Sequence, residues 1–208
     1  MNIHNPTHTN ISYLYRLLRQ QDEPLRGLHS TNPSAYISIR QHVQRRRHDA
    51  RISSQFISTT RDPTVVLQWL FQEGRNGHHG RLVIISCGQL DVDIMLHDLS
   101  RGHPDLTKYY NDLVIRHQEI LVTPSVNSSA IIGSLSYLDL SANGRGWGDF
   151  KRLGLREINN MVSEDQPSFQ QWLATEEVVE RFYSLRCSFC SEPGHEDEGC
   201  FKLFLLLQ

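Results

Sequence analysis

Lysine is scarce in this chain: of 21 cationic residues only Lys108, Lys151 and Lys202 are lysines, and the other 18 are arginines. Cations and acids nearly balance, 21 against 23, for a formal net charge of −2 with the 11 histidines neutral. That balance excludes a bulk polycation that binds nucleic acid or membrane through overall charge, and leaves only a local patch for such a role. Long apolar runs are also missing. No stretch approaches the roughly 18–20 residues that span a bilayer, and the apolar tail Phe201–Leu207 reads as a buried strand or a docking tail. The first ten residues are polar, with no basic segment leading into an apolar run, so no signal peptide is readable. Cysteine is sparse as well. Of four, Cys87 lies in an apolar run and reads as a buried thiol, while Cys187, Cys190 and Cys200 crowd together with a histidine. This is metal arithmetic rather than a disulfide framework, and points to a reducing compartment, most simply the cytosol.

What is present suffices for a folded domain. The 208 residues are 38% hydrophobic, enough to bury one core with a small appendage. Apolar runs at 12–17, 55–60, 81–86 and 119–122 read as strands, and residues 129–140 as strand-rich. Helical spacing of Tyr36, Ile39 and Val43 predicts a helix over 34–44, which runs into the Arg45–Arg47 patch, the best candidate docking surface or a solvated helix end. Asp62 and Pro63 read as the N-cap and first residue of a helix over 64–72. Further helices are predicted over 150–163 and 167–183, beyond a glycine-dense linker at 143–148. The fold class is α+β: a domain over 1–142, a linker with helices over 143–186, and a small tail over 187–208.

The tail carries Cys187, Cys190, His195 and Cys200 with the spacing C-x2-C-x4-H-x4-C. Three thiolates and one imidazole suit tetrahedral zinc, and four protein ligands make the site structural rather than catalytic. The segment resembles the zinc knuckle family, including the Gly194-His195 pair and Phe189 between the first two cysteines. Many knuckles bind RNA, but Glu192, Glu196, Asp197 and Glu198 occupy this loop and would repel phosphate.

Three further pieces stand at strand ends: Arg16 in Leu-Tyr-Arg, Ser58-Thr59-Thr60 after Phe56-Ile57, and Glu119 opening Glu-Ile-Leu-Val. Singly each is weak. In this order they resemble the Arg–Ser–Glu class of mono-ADP-ribosyltransferases, a family of toxins, effectors and ectoenzymes, over about residues 11–137. The resemblance implies a split β-sheet core with flanking helices, a helical first half over 26–43, and NAD as substrate. It assigns Arg16 to the NAD phosphates, where a guanidinium offers fixed paired donors. It assigns Glu119 to the positive charge that builds on the ribose as nicotinamide leaves, and Ser58 to aiming that carboxylate. Thr59 and Thr60 belong to the same NAD-binding strand, and Thr60 either supports Ser58 or caps the next helix. Tyr15, Trp69 and Phe71 are candidates to stack on nicotinamide, or core.

The departure from the family pattern lies two residues before Glu119. Arginine-modifying members carry Glu there, and members that modify other acceptors often carry Gln; this chain has His117. His117 either orients or deprotonates a hydroxyl acceptor, or stands by on the turn. The leading expectation is a monomeric, non-membrane transferase acting on a protein acceptor, in its own cytoplasm or delivered into a host's. Transfer of ADP-ribose or phosphate on nucleic acid, or an inactive partner-binding module, are the alternatives. Few lysines also mean few ubiquitin sites, as a protein working in a foreign cytosol would want.

Overall fold

The structure, a computed structural model, describes residues 3–4, 11–18, 22–45, 53–78, 80–141 and 146–163. Its centre is a seven-stranded sheet whose strands are, in chain order, β1 (Ile3–His4), β2 (Tyr13–Leu17), β4 (Ile57–Thr60), β5 (Arg81–Ser86), β6 (Met95–Asp98), β7 (Glu119–Thr123) and β9 (Ile131–Ser136). They lie in the order β1-β6-β7-β4-β2-β5-β9, and every registered pair is antiparallel. A second ladder pairs β3 (Leu28–His29) with β8 (Ser125–Val126). The helices are α1 (Ile39–Arg45), α2 (Pro63–Arg75), α3 (Lys108–Arg116), α4 (Tyr137–Ser141) and α5 (Trp147–Ser163). The α+β class expected from the sequence is the class observed.

Local chemistry explains where the helices begin. The Asp62 carboxylate accepts the Thr64 N–H at 2.8 Å, and Pro63 occupies the first helical position. The helix expected from residue 34 starts only at Ile39, because Ser38 and Gln41 form a reciprocal capping box. The Gln41 N–H reaches Ser38 Oγ at 3.1 Å, and the Ser38 N–H reaches Gln41 Oε1 at 2.9 Å. The expected helical first half therefore holds one helix, α1, preceded by loop and the short β3. The end of the strand-rich stretch departs as well. Residues 137–141 turn into α4, where Ser136 Oγ accepts the Asp139 N–H and the Asp139 carboxylate answers through the Ser136 N–H and hydroxyl.

Three apolar clusters hold the layers. Leu14, Ile57, Val83, Ile85, Leu96, Ile120 and Val122 fill one face of the sheet. On the other face, α2 and α5 bury Val66, Leu67, Leu70, Phe150 and Ile158 against Tyr15, Leu82 and Ile84. Residues 146–163, expected to follow the main domain as linker and helix, thus pack into its core. Ile39, Val43, Phe56, Val114 and Leu121 form the third cluster, under α1 and α3. Among the described residues no helix is long and apolar enough to cross a membrane. The Cys187, Cys190, His195 and Cys200 set, the helix expected over 167–183 and Arg46–Arg47 lie outside the described residues, as does the side chain of Arg45.

Candidate active site

The site is built where β2, β4 and β7 lie side by side. Thr60 is the direct cross-strand partner of both Tyr15 and Glu119, and Ser58 is the partner of Leu121. Cross-strand partners share a face and neighbours along a strand alternate. Ser58, Thr60, Glu119 and Tyr15 therefore stand on one face, while Arg16 and Thr59 belong to the opposite one. Only one pair joins β2 to β4, so the two strands part beyond Tyr15. On the side where they part, Arg16 Nη1 donates to the Ser58 carbonyl at 2.8 Å.

Arg16 is 6% exposed. Its Nε and Nη2 donate to one oxygen of the Asp22 carboxylate at 3.2 and 2.9 Å. The guanidinium is thus a bracket between the loop after β2 and the backbone of β4. The family resemblance assigns it to phosphate; in the structure three of its N–H groups donate to protein acceptors. Asp22 was not among the residues singled out, and only the folded loop brings it to Arg16.

Ser58 carries the second unforeseen contact. Its hydroxyl oxygen lies 3.0 Å from His42 Nε2, and His42 Nδ1 lies 2.8 Å from Ser54 Oγ. Ser54 is itself fixed: its Oγ accepts the Phe56 N–H at 3.1 Å, and its backbone N–H donates to Thr31 Oγ1 at 2.9 Å. His42 is buried on α1. Its position near the end of the predicted helix was visible in the sequence, but nothing local to it pointed toward β4.

Glu119 opens β7 and is 7% exposed. The turn ahead of it is clasped by the end of β4. Thr60 Oγ1 donates to the His117 carbonyl at 2.6 Å and accepts the Asp62 N–H at 3.0 Å. Thr60 therefore neither bonds Ser58 nor serves as the N-cap, which is Asp62. The Arg61 N–H donates to the Gln118 carbonyl at 3.2 Å, and Arg61 Nε to Gln118 Oε1 at 2.9 Å. Gln118 adopts φ of 48°, a left-handed conformation costing a non-glycine residue on the order of 1 kcal/mol. That residue turns the chain from α3 into β7 and sets the direction in which Glu119 leaves. Thr59 Oγ1 donates to the Ile120 carbonyl at 2.7 Å, knitting the same two strands.

The His117 ring meets Trp69 edge-on, with centroids 5.3 Å apart. Trp69 is half-buried beside this turn, whereas Phe71 packs 5.1 Å from Phe150 and 5.5 Å from Trp147, in the core under α5. Tyr15 is buried in the same core, and burial pushes its hydroxyl pKa up to about 12. Cys87 is a buried thiol raised to about 12 by the same cause. Among the described residues, no group of three or more His, Cys, Asp or Glu is placed to hold a metal ion.

Comparisons with known proteins add the following. No curated relative matches the chain. It is similar to the solved structure EcPltA over 61% of this chain and 76% of that one, with 16% identity and a TM-score of 0.42. A family described as a domain of unknown function, DUF7587, matches residues 7–140, a span that contains Arg16, Asp22, His42, Ser58, His117 and Glu119. The chain belongs to the DUF7587 family.

Proposed function

We propose that this chain is an NAD-dependent mono-ADP-ribosyltransferase that modifies a protein side chain. The observation that carries the reading is the register of β4 and β7. It sets Ser58 and Glu119, 61 residues apart in sequence, one row apart on the same face of adjacent strands, with Arg16 bonded to the backbone of the same Ser58. In the reaction the bond between ribose C1′ and the nicotinamide nitrogen breaks, and nicotinamide leaves as a neutral molecule. The acceptor side chain forms the new bond to C1′ and gives up a proton. Glu119 stabilises the positive charge that builds on the ribose, in an environment where burial makes a fixed carboxylate effective. Ser58 is kept in place by His42, and the turn carrying Glu119 by Thr60 and Arg61, so the groups are preorganised before substrate arrives. His117, on the turn beside Trp69, is the residue assigned to the acceptor. In the tail, donor chemistry alone carries the zinc reading.

The experiment is incubation of the full chain with NAD and a cell lysate, followed by mass spectrometry of ADP-ribosylated peptides. Modified side chains that require wild-type Glu119 are expected. A second reading, a partner-binding module without catalysis, draws on the engagement of Arg16 with Asp22 and Ser58. It predicts that calorimetry detects no NAD binding; the transferase reading requires binding.

A further inference from the structure

His97, on β6, is 7% exposed, and neither of its ring nitrogens has a hydrogen-bond partner among the described residues. A buried imidazole ordinarily bonds through at least one nitrogen, so an orphaned pair calls for an explanation. The Phe56 ring lies against it, with centroids 5.4 Å apart and planes at 89°. The same Phe56 ring meets His42, again at 5.4 Å, with planes at 67°. One phenyl ring thus links the orphaned imidazole to the imidazole that holds Ser58.

Among the described residues the titratable groups around His97 are few. His42 approaches from α1 through Phe56, Tyr110 of α3 packs on the same cluster, and His103 comes from the connection between β6 and α3. Asp105 faces His103, 3.8 Å from its Nδ1. Glu119 stands on the same face of the sheet, one diagonal from His97 across the His97↔Leu121 pair. None of these places an acceptor on either nitrogen of His97. Burial, then the positive field of His103, hold its proton affinity below that of an ordinary histidine.

We propose that His97, acting through Phe56, is a positioning residue for His42, and that it holds His42 only while uncharged, as an acid-sensitive latch on the His42–Ser58 pair. A proton on His97 would be a buried charge with no acceptor, relieved by moving the ring toward water. Phe56 then loses the ring it packs on, and its edge contact with His42 loosens. The sign follows from the lowered proton affinity. The neutral ring contributes stability that is complete above the unfolded-state pKa of about 6.5 and is lost as pH falls below it toward the folded value. The consequence for catalysis rests on the transferase reading; the latch itself is a property of the packing.

The test is a histidine-ring NMR titration of the full chain from about pH 8 to about 5, on the wild type and on His97→Phe, which keeps an apolar ring against Phe56 and cannot be protonated. In the wild type, the His42 signals should shift together with protonation of His97, and this component alone should vanish in the variant. Wild-type His42 signals that ignore His97, or an identical His42 titration in the variant, would overturn the latch. His97→Leu offers the same comparison if the phenylalanine does not fold. Nicotinamide release should fail at a lower pH in the variant than in the wild type. A coupled titration in a chain that releases no nicotinamide at any pH would uphold the latch and refute the transferase reading.

Discussion

Arg16 and Asp22 form a buried ion pair, with Nη2 2.9 Å from the carboxylate and side-chain exposures of 7% and 2%. A charge so enclosed is tolerated because its partner is enclosed with it. Asp22→Ala leaves the guanidinium without its counter-charge, and should cost about 3–5 kcal/mol of folding stability. Urea unfolding of the variant checks this; a change under 1 kcal/mol would mean that the pair is solvated in solution.

The two ends of that pair show how far the sequence can be read. Arg16 stands out from its motif, but Asp22 lies in a loop with no periodicity, and its partner is fixed only by the fold. His42 is a similar case. The helix that carries it is legible from Ile39 and Val43 and sharpened by the Ser38–Gln41 capping box, yet its bond to Ser58 depends on how α1 sits over β4. Strands with dense apolar runs, such as 81–86, were legible because burial on both faces writes itself into composition. The α4 turn was not, since Tyr137–Leu140 is short and too apolar to separate helix from strand by pattern. Glu119 was placed correctly at the mouth of β7, but the clasp that aims it required the register Thr60↔Glu119.

That clasp is testable at one residue. Thr60→Val keeps the shape and removes the bonds to the His117 carbonyl and the Asp62 N–H. The loss should be about 1–3 kcal/mol, since both groups lose a partner in a partly buried place. Nicotinamide release should fall more steeply than stability, because the turn ahead of Glu119 loosens. Equal activity at reduced stability would leave Thr60 a purely structural role.

Packing between α2 and α5 offers a test independent of the site. A Cβ on Gly154 would lie 2.5 Å from Leu67 Cδ2 and 2.9 Å from Leu67 Cδ1, and Leu67 is fully buried. Gly154→Ala should therefore destabilise by roughly 1–3 kcal/mol through overpacking. Adding Leu67→Val should recover part of that loss, a coupling readable in a double-mutant cycle. Additive effects would show that the two helices are not in contact at Gly154.

The central claim is that Glu119, aimed from the start of β7, drives cleavage of NAD. The most direct measurement is nicotinamide released from NAD by the wild type and by Glu119→Gln, with the fold of each verified by thermal melting. The account predicts turnover by the wild type and a loss of roughly 100-fold or more in the glutamine variant, the scale of removing one preorganised electrostatic group. Equal release by two folded proteins, or no release by the wild type, would contradict it.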